Sequence, residues 1–239
     1  VSQLQDKVCI VTGAGRGIGR AIALAAAENG CRVVLASRTT DQLAAVQTAI
    51  AERGGQASPC RTDLSSHEDL AALVQHTLDC FGTIDFLVNN AGWGVKANVV
   101  KSKVEDWERT LRVNLLAPMI LSRLVLPTLM TRHTGAIVNV SSISGRAGQA
   151  GSAAYAASKF GLIGFSQSLF EEVREHGIKV AAIMPGFVDT GMIPPVKHLD
   201  RSRMIQPEDV AQAVLFVLSA PPTACPVEIT VRPQRTPYR

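Results

Sequence analysis

The segment AAYAASKFG, Ala153 to Gly161, sets one tyrosine and one lysine four residues apart among small and apolar neighbours. On a helix, residues i and i+4 share a face, which makes the Tyr155 phenol and the Lys159 ammonium neighbours. A free tyrosine titrates near about 10, too high for acid–base work at neutral pH. A nearby ammonium stabilises the phenolate and lowers that value. Taken alone, the two residues also fit a surface pair stacked on a helix. Two more polar residues favour chemistry. Ser142 follows an apolar strand and can donate to an oxygen on which negative charge builds. Asn114 sits mid-helix between apolar stretches, where a buried amide needs partners.

The other end of the chain carries a nucleotide signature. TGAGRGIG, Thr12 to Gly19, has glycines at 13, 15, 17 and 19. Glycine lets the backbone turn tightly and approach a phosphate, and the helix that follows points its N-terminus at a pyrophosphate. The motif closes a strand and opens a helix, the context that a dinucleotide site requires. The second strand ends in ASRTT, with Ser37 and Arg38 where NAD-binding sheets present an acid to the ribose 2′-hydroxyl. A guanidinium can instead pair a 2′-phosphate in bidentate fashion, and Arg16 can approach the same group. The expected cofactor is therefore NADP. The other reading of Arg38 is a solvated charge at a strand end. Asp63, in TDL after the third strand, either accepts from an adenine amino group or caps the next helix, and these roles are compatible. NNAG, Asn89 to Gly92, would lie along the middle of the cofactor; otherwise it is an ordinary turn.

The elements that must position these residues alternate. Strands are expected at Lys7–Thr12, Arg32–Ala36, Ala57–Arg61, Ile84–Asn89, Ala136–Ser141, Lys179–Met184 and, more weakly, Val227–Val231. Helices are expected at Ile18–Asn29, Thr40–Arg53, Ser66–Phe81, Lys103–Arg132, Ala153–Glu175 and Pro207–Ser219. Strand–helix–strand repetition implies an α/β fold with a doubly wound parallel sheet of about seven strands. The central strands are apolar without alternation, as strands covered on both faces should be. Residues 186–206 form one long irregular segment, and a loop of that length is often a lid or binding loop.

Composition agrees. The chain has 239 residues, of which 46% are hydrophobic, 18% charged and 5% aromatic. That is enough to bury one substantial core and excludes a disordered chain. A net charge of +4 is too small to argue for nucleic acid. Arg232, Arg235 and Arg239 make the C-terminus basic, which reads as a solvated tail or as a contact with an anion or a partner subunit. Cys9, Cys31, Cys60, Cys80 and Cys225 show no metal spacing, and Cys9, Cys31 and Cys60 read as buried thiols. The longest apolar run, around Leu115 to Met130, is interrupted by Pro118, Arg123 and Pro127. The expectation is a cytoplasmic protein with no membrane segment and no nucleic-acid partner.

With these pieces in hand, the chain resembles the short-chain dehydrogenase/reductase family over about Lys7 to Ser219. The likeness rests on TGAGRGIG, NNAG, Asn114 in RVNLL, Ser142 in VNVSSISG, Tyr155 and Lys159 in YAASK, and PGFVDT from Pro185. The resemblance implies a single Rossmann domain and a catalytic set of Asn114, Ser142, Tyr155 and Lys159. In that set Asn114 orders a water linking Lys159 to solvent. It implies cofactor contacts from Gly13, Arg16, Ile18, Ser37, Arg38, Asp63, Leu64, Asn90, Tyr155, Lys159 and Val188. The implied reaction moves a hydride between NADP(H) and a small-molecule carbonyl or secondary alcohol, with Tyr155 as acid and base. The resemblance also implies a homodimer or homotetramer paired through the two long helices.

Substrate identity is less legible. The branch of the family that reduces carrier-protein-linked 3-oxoacyl groups carries arginines before the fifth and sixth strands. This chain has His133 and His176 there, with Arg132 and Arg174 close by, and its tail lacks that branch's glycines. The PEDVAQAVLFVLS helix followed by EITVRP looks more like the NADP-dependent 3-hydroxy-acid and serine dehydrogenase branch. A carboxylate on the substrate would find Arg146, Lys197, Arg201 and Arg203 as candidate partners, unless these are solvated. Trp93 either walls the pocket or is ordinary packing. A catalytically idle NADPH-binding sensor is the alternative from another class, and it is disfavoured by the intact set of four residues.

Overall fold

The computed structural model describes residues 3–193 and 199–238. Seven parallel strands form one sheet in the order β3-β2-β1-β4-β5-β6-β7. They are β1 Val8–Thr12, β2 Arg32–Ser37, β3 Gln56–Arg61, β4 Phe86–Asn89, β5 Gly135–Val140, β6 Ile178–Pro185 and β7 Glu228–Val231. The helices between them are α1 Gly17–Glu28, α2 Thr40–Ala51, α3 His67–Phe81, α4 Val104–Leu111, α5 Ala117–Arg132, α6 Ala153–Val173 and α7 Pro207–Leu218. The expected doubly wound α/β fold is what forms.

β1, β4 and β5 are buried at every residue because helices cover both faces. One core layer packs α1, α2 and α7 on the sheet through residues such as Ile22, Leu43 and Val214. The other packs α3, α5 and α6 through Leu70, Leu121, Val125 and Leu169. At the sheet's edge, β3 is only partly buried, so Cys60 is half-buried where a buried thiol is expected, while Cys9 and Cys31 are buried as expected. Burial raises the Cys9 thiol well above its ordinary range and pushes the Cys31 thiol up to about 12.

Strand order reverses between β1 and β4, and the crevice beyond the strand ends at that point is where such sheets bind ligands. β1 is therefore followed by the glycine turn, and β4 by Asn90 to Trp93.

Two features depart from the expected element plan. The helix expected at Lys103–Arg132 is α4 and α5 joined by one π-turn, Arg112–Leu116. The whole, Val104–Arg132, is long and apolar enough to cross a membrane by length and composition. Its Ala117, Leu121, Val125 and Leu129 lie instead in the core against the sheet. The C-terminal tail is not simply solvated. Tyr238 pairs with Leu199 in an antiparallel bridge and meets the Phe187 ring edge-on at 5.4 Å. The Asp200 amide donates to the Pro237 carbonyl at 2.7 Å. The tail thus straps the segment after β6. Arg239 lies outside the described residues.

Candidate active site

The cleft is built from β1 outwards. The Thr12 hydroxyl accepts from the amides of Asn90 at 3.0 Å and Ala91 at 3.1 Å, and the Asn90 side chain donates to the Thr12 carbonyl at 2.9 Å. These bonds tie NNAG to the glycine turn. Gly13 has φ +67°, and a Cβ on Gly19 would lie 2.2 Å from the Gly13 carbonyl oxygen and 2.5 Å from Asn90 Nδ2. Only glycine lets α1 begin this close to the turn, so the start of α1 faces an open cradle.

Gly13, Arg16, Ile18, Ser37, Arg38, Asp63, Leu64 and Asn90 all line one cavity of about 350 Å³. That volume suits a ligand of cofactor size. Arg16 and Arg38 form no ion pair among the described residues. The cradle without a side chain and the two unpaired guanidiniums fit the pyrophosphate and the 2′-phosphate of a dinucleotide. Val188 is buried, with its backbone bridged to Ile205, and is not among the residues lining this cavity, whereas Thr190, Gly191 and Met192 are.

Asp63 does not cap α3. The N-cap is Ser66, whose hydroxyl accepts from the Asp69 amide at 3.1 Å. Asp63 Oδ1 accepts from the Ser65 amide at 2.9 Å and the Ser65 hydroxyl at 2.7 Å. These bonds, and then the charges of Arg38 and Arg109, hold the Asp63 carboxyl below its ordinary range. The carboxylate is an acceptor on the cavity wall.

The expected catalytic residues converge beside this cleft. The Ser142 hydroxyl stands close enough to the Tyr155 phenol to act on its titration and lower it. Lys159 is buried, and its ammonium donates to the Val140 carbonyl at 2.8 Å and lies 5.8 Å from the Tyr155 ring centroid. A Cβ on Gly92 would stand 3.8 Å from Asn114 Oδ1 and 3.9 Å from Lys159 Nζ, so both polar atoms look toward the middle of the cleft. A Cβ on Gly94 would meet the Tyr155 ring at 2.9 Å, and the Ala97 amide donates to the Gly151 carbonyl at 2.9 Å. The segment 92–97 therefore lies over the tyrosine.

The electrostatics differ from the simple expectation for the pair. Burial raises the Tyr155 phenol above its ordinary value, and Ser142 only partly opposes this. Burial also pushes Lys159 down to about 8. In this arrangement desolvation is the largest influence on both groups.

Asn114 is fully buried in the π-turn. π-turns inside helices are frequent at functional sites. Its amide accepts from the Trp93 amide and donates to the Trp93 carbonyl, each at 2.8 Å, and donates to Ser158 Oγ at 3.1 Å. Below the site, Asn89 donates to Asn139 at 2.8 Å and Asn139 to Ser166 at 2.9 Å, locking β4, β5 and α6 together.

Several residues escape the sequence reading. Thr12 is the hinge between the two motifs, although an ordinary strand-end threonine gives no signal. Gln42 packs against Gly15 on the cavity wall, from the first turn of α2. Arg109 lines the same cavity four residues before Val113, a spacing that puts both on one helix face. It lies over Trp93, 4.6 Å from the ring centroid, and Trp93 does wall the pocket.

The charges suggested for a substrate carboxylate are engaged elsewhere. Arg146 pairs with Glu228. Arg201 donates to Asp189 at 2.7 Å and to the Thr190 and Ile193 carbonyls, and Arg203 pairs with Asp200 at 3.4 Å. Lys197 lies outside the described residues. His133 and His176 stack on one another with centroids 5.9 Å apart, at the strand ends opposite the cleft. Arg132 pairs with Asp85 at 3.1 Å, and Arg174 with Glu171 at 3.2 Å.

A glycine cradle at the switch point of a parallel sheet, with buried Ser142 and Lys159 and half-buried Tyr155 beside it, defines a nucleotide-binding α/β oxidoreductase. The sequence model of the family described as short chain dehydrogenase matches residues 7–199. An uncharacterised oxidoreductase of Staphylococcus aureus strain MRSA252 is 35% identical over 230 residues, 96% of this chain and 98% of that protein. An uncharacterised oxidoreductase of Staphylococcus saprophyticus is 35% identical over 232 residues, 97% of this chain and 99% of that protein. Among solved structures, a metagenomic short-chain oxidoreductase in complex with NADP superposes with a TM-score of 0.87 at 35% identity, covering 98% of this chain and all of that one. This chain belongs to the short-chain dehydrogenase family.

Proposed function

We propose that the protein is an NADP(H)-dependent oxidoreductase acting on a carbonyl or secondary alcohol, with Asn114, Ser142, Tyr155 and Lys159 as its active-site set. The observation that carries this reading is the convergence of Tyr155 and Lys159 on the segment Gly92–Gly94, which borders a cleft lined by Arg16 and Arg38. At the end of β2, Ser37 and Arg38 take the place of the acid that would hold a 2′-hydroxyl. The relative solved with NADP supports the same cofactor.

Bound NADPH supplies the hydride. Ser142 donates to the substrate oxygen and Tyr155 passes it the phenolic proton. Lys159 orients the cofactor ribose and returns a proton to the phenolate, and solvent water, on the side facing Asn114 Oδ1, reprotonates its amine. Burial keeps the phenol protonated at neutral pH, which suits reduction. We assign residues 186–206 as the substrate-binding loop of a single domain spanning 1–239. Arg201 is engaged in holding that loop together, so recognition falls on the apolar walls and Trp93.

The same reading expects a second copy on α4–α6, where Leu111, Leu116, Met119 and Phe160 are exposed. Light scattering on the purified chain checks this. The function is tested by following NADPH absorbance with 3-oxoacyl thioesters, 3-oxo acids, diketones and aldehydes. Turnover of at least one class is expected. Tight NADPH binding with no turnover on any of them would mark a sensor instead.

A further inference from the structure

The cavity holds a third guanidinium that the cofactor's phosphates do not call for. Arg109, on α4, lines the cleft with Asp63, Leu64 and Val113, and it forms no ion pair among the described residues. Its guanidinium sits over Trp93 at 4.6 Å from the ring centroid. Trp93 is itself fixed, because Asn114 holds both its backbone amide and its carbonyl. The side chain is therefore held on a rigid platform, although it is exposed. Its charge also acts on Asp63, together with that of Arg38.

The chemistry around this point describes a ligand part. Asp63 offers an acceptor for an amino group, Leu64 and Val113 offer apolar contact, and Arg109 offers a cation on the cavity wall. A flat, electron-rich, amino-bearing heterocycle satisfies all three, and a phosphate does not, since it would meet the Asp63 carboxylate.

We infer that Arg109, held over Trp93, closes the adenine end of the cleft by stacking on the adenine ring. The inference rests on the proposed dinucleotide reading. It assigns Arg109 a different role from Arg38: Arg109 binds what NADP and NAD share, and Arg38 binds what distinguishes them. A guanidinium over an aromatic face contributes enough that losing it should weaken binding by roughly three- to tenfold.

Calorimetric titration of the intact protein with NADP+, NAD+ and 2′,5′-ADP tests this. Arg109→Gln should raise the Kd of all three by the same factor. Arg38→Gln should weaken NADP+ and 2′,5′-ADP and leave NAD+ unchanged. Trp93→Phe should keep most of the affinity and Trp93→Ala should copy Arg109→Gln. Unchanged Kd values in Arg109→Gln overturn the inference. So does weakening confined to the two 2′-phosphate ligands, which would make Arg109 a phosphate ligand. If the unsubstituted protein binds none of the three, the dinucleotide reading itself fails.

Discussion

The side chain of Asn114 makes a two-bond clamp on the backbone of Trp93, accepting from its amide and donating to its carbonyl at 2.8 Å each. The pairing resembles one rung of a sheet, made by a side chain. It fixes the segment that leaves β4 and crosses over Tyr155. The π-turn is what turns Asn114 inward, since its extra residue re-aims side chains within a helix.

Asn114→Ala should therefore loosen the segment as well as the catalytic set. Two partly buried backbone groups of Trp93 lose their partner, costing about 1 kcal/mol. The melting temperature should fall by several degrees and Trp93 emission should shift to the red. Unchanged emission would mean that the segment is held by other bonds.

How much of this was legible in the sequence follows from what each residue needs. The strands and glycine turn show because apolar runs and φ-permissive residues are local signals. Asn114 shows as a buried amide in want of partners, but its partner 21 residues away does not. The π-turn is invisible because RVNLL has the composition of an α-helix. Arg146 and Arg201 look like free cations along the chain, and only the fold reveals their acidic partners. The pair with the plainest spacing, Tyr155 and Lys159, is on one face as that spacing demands. Its electrostatics depend on burial, which spacing does not report.

Lys159→Met should stabilise the cofactor-free protein while removing activity. Burial pushes Lys159 down to about 8, well below its unfolded value of about 10.4. Below pH 8 both states carry the proton, and the folded state bears the cost of the buried charge. Between about 8 and 10 only the unfolded state holds it, so stability from this group rises with pH. At pH 7 the substitution should stabilise by about 1–2 kcal/mol after the lost hydrogen bond to Val140 is counted. The gain should shrink above pH 8. Denaturant unfolding at pH 7 and pH 10 measures both, and a gain that grew with pH would refute the buried-charge account.

The two directions of the reaction should differ in pH dependence. Burial raises the Tyr155 phenol, and Ser142 lowers it. Reduction uses the protonated phenol and should hold its rate through neutral pH. Alcohol oxidation needs the phenolate, so its rate should climb with pH into the alkaline range. Removing Ser142 takes away that lowering influence, and Ser142→Ala should move the oxidation limb to still higher pH. Paired pH–rate profiles would show this, and a limb moving to lower pH would reverse the assignment.

Arg38→Asp should exchange cofactors. The new carboxylate repels a 2′-phosphate and can accept from a 2′-hydroxyl. The NADP/NAD ratio of kcat/KM should fall by about two orders of magnitude, two charge-assisted contacts being reversed. An unchanged ratio would sink the 2′-phosphate assignment.

The central claim is that Tyr155 delivers the proton. Tyr155→Phe removes one oxygen and keeps the ring that Gly94 packs against. The direct measurement is single-turnover NADPH oxidation with a saturating carbonyl substrate, alongside calorimetric NADPH binding. The expected result is a rate lower by at least about a thousandfold, at the loss of a general acid and an oxygen ligand, with the NADPH Kd within a few-fold of the unsubstituted protein. A rate near that of the unsubstituted protein, with NADPH still bound, would contradict the account.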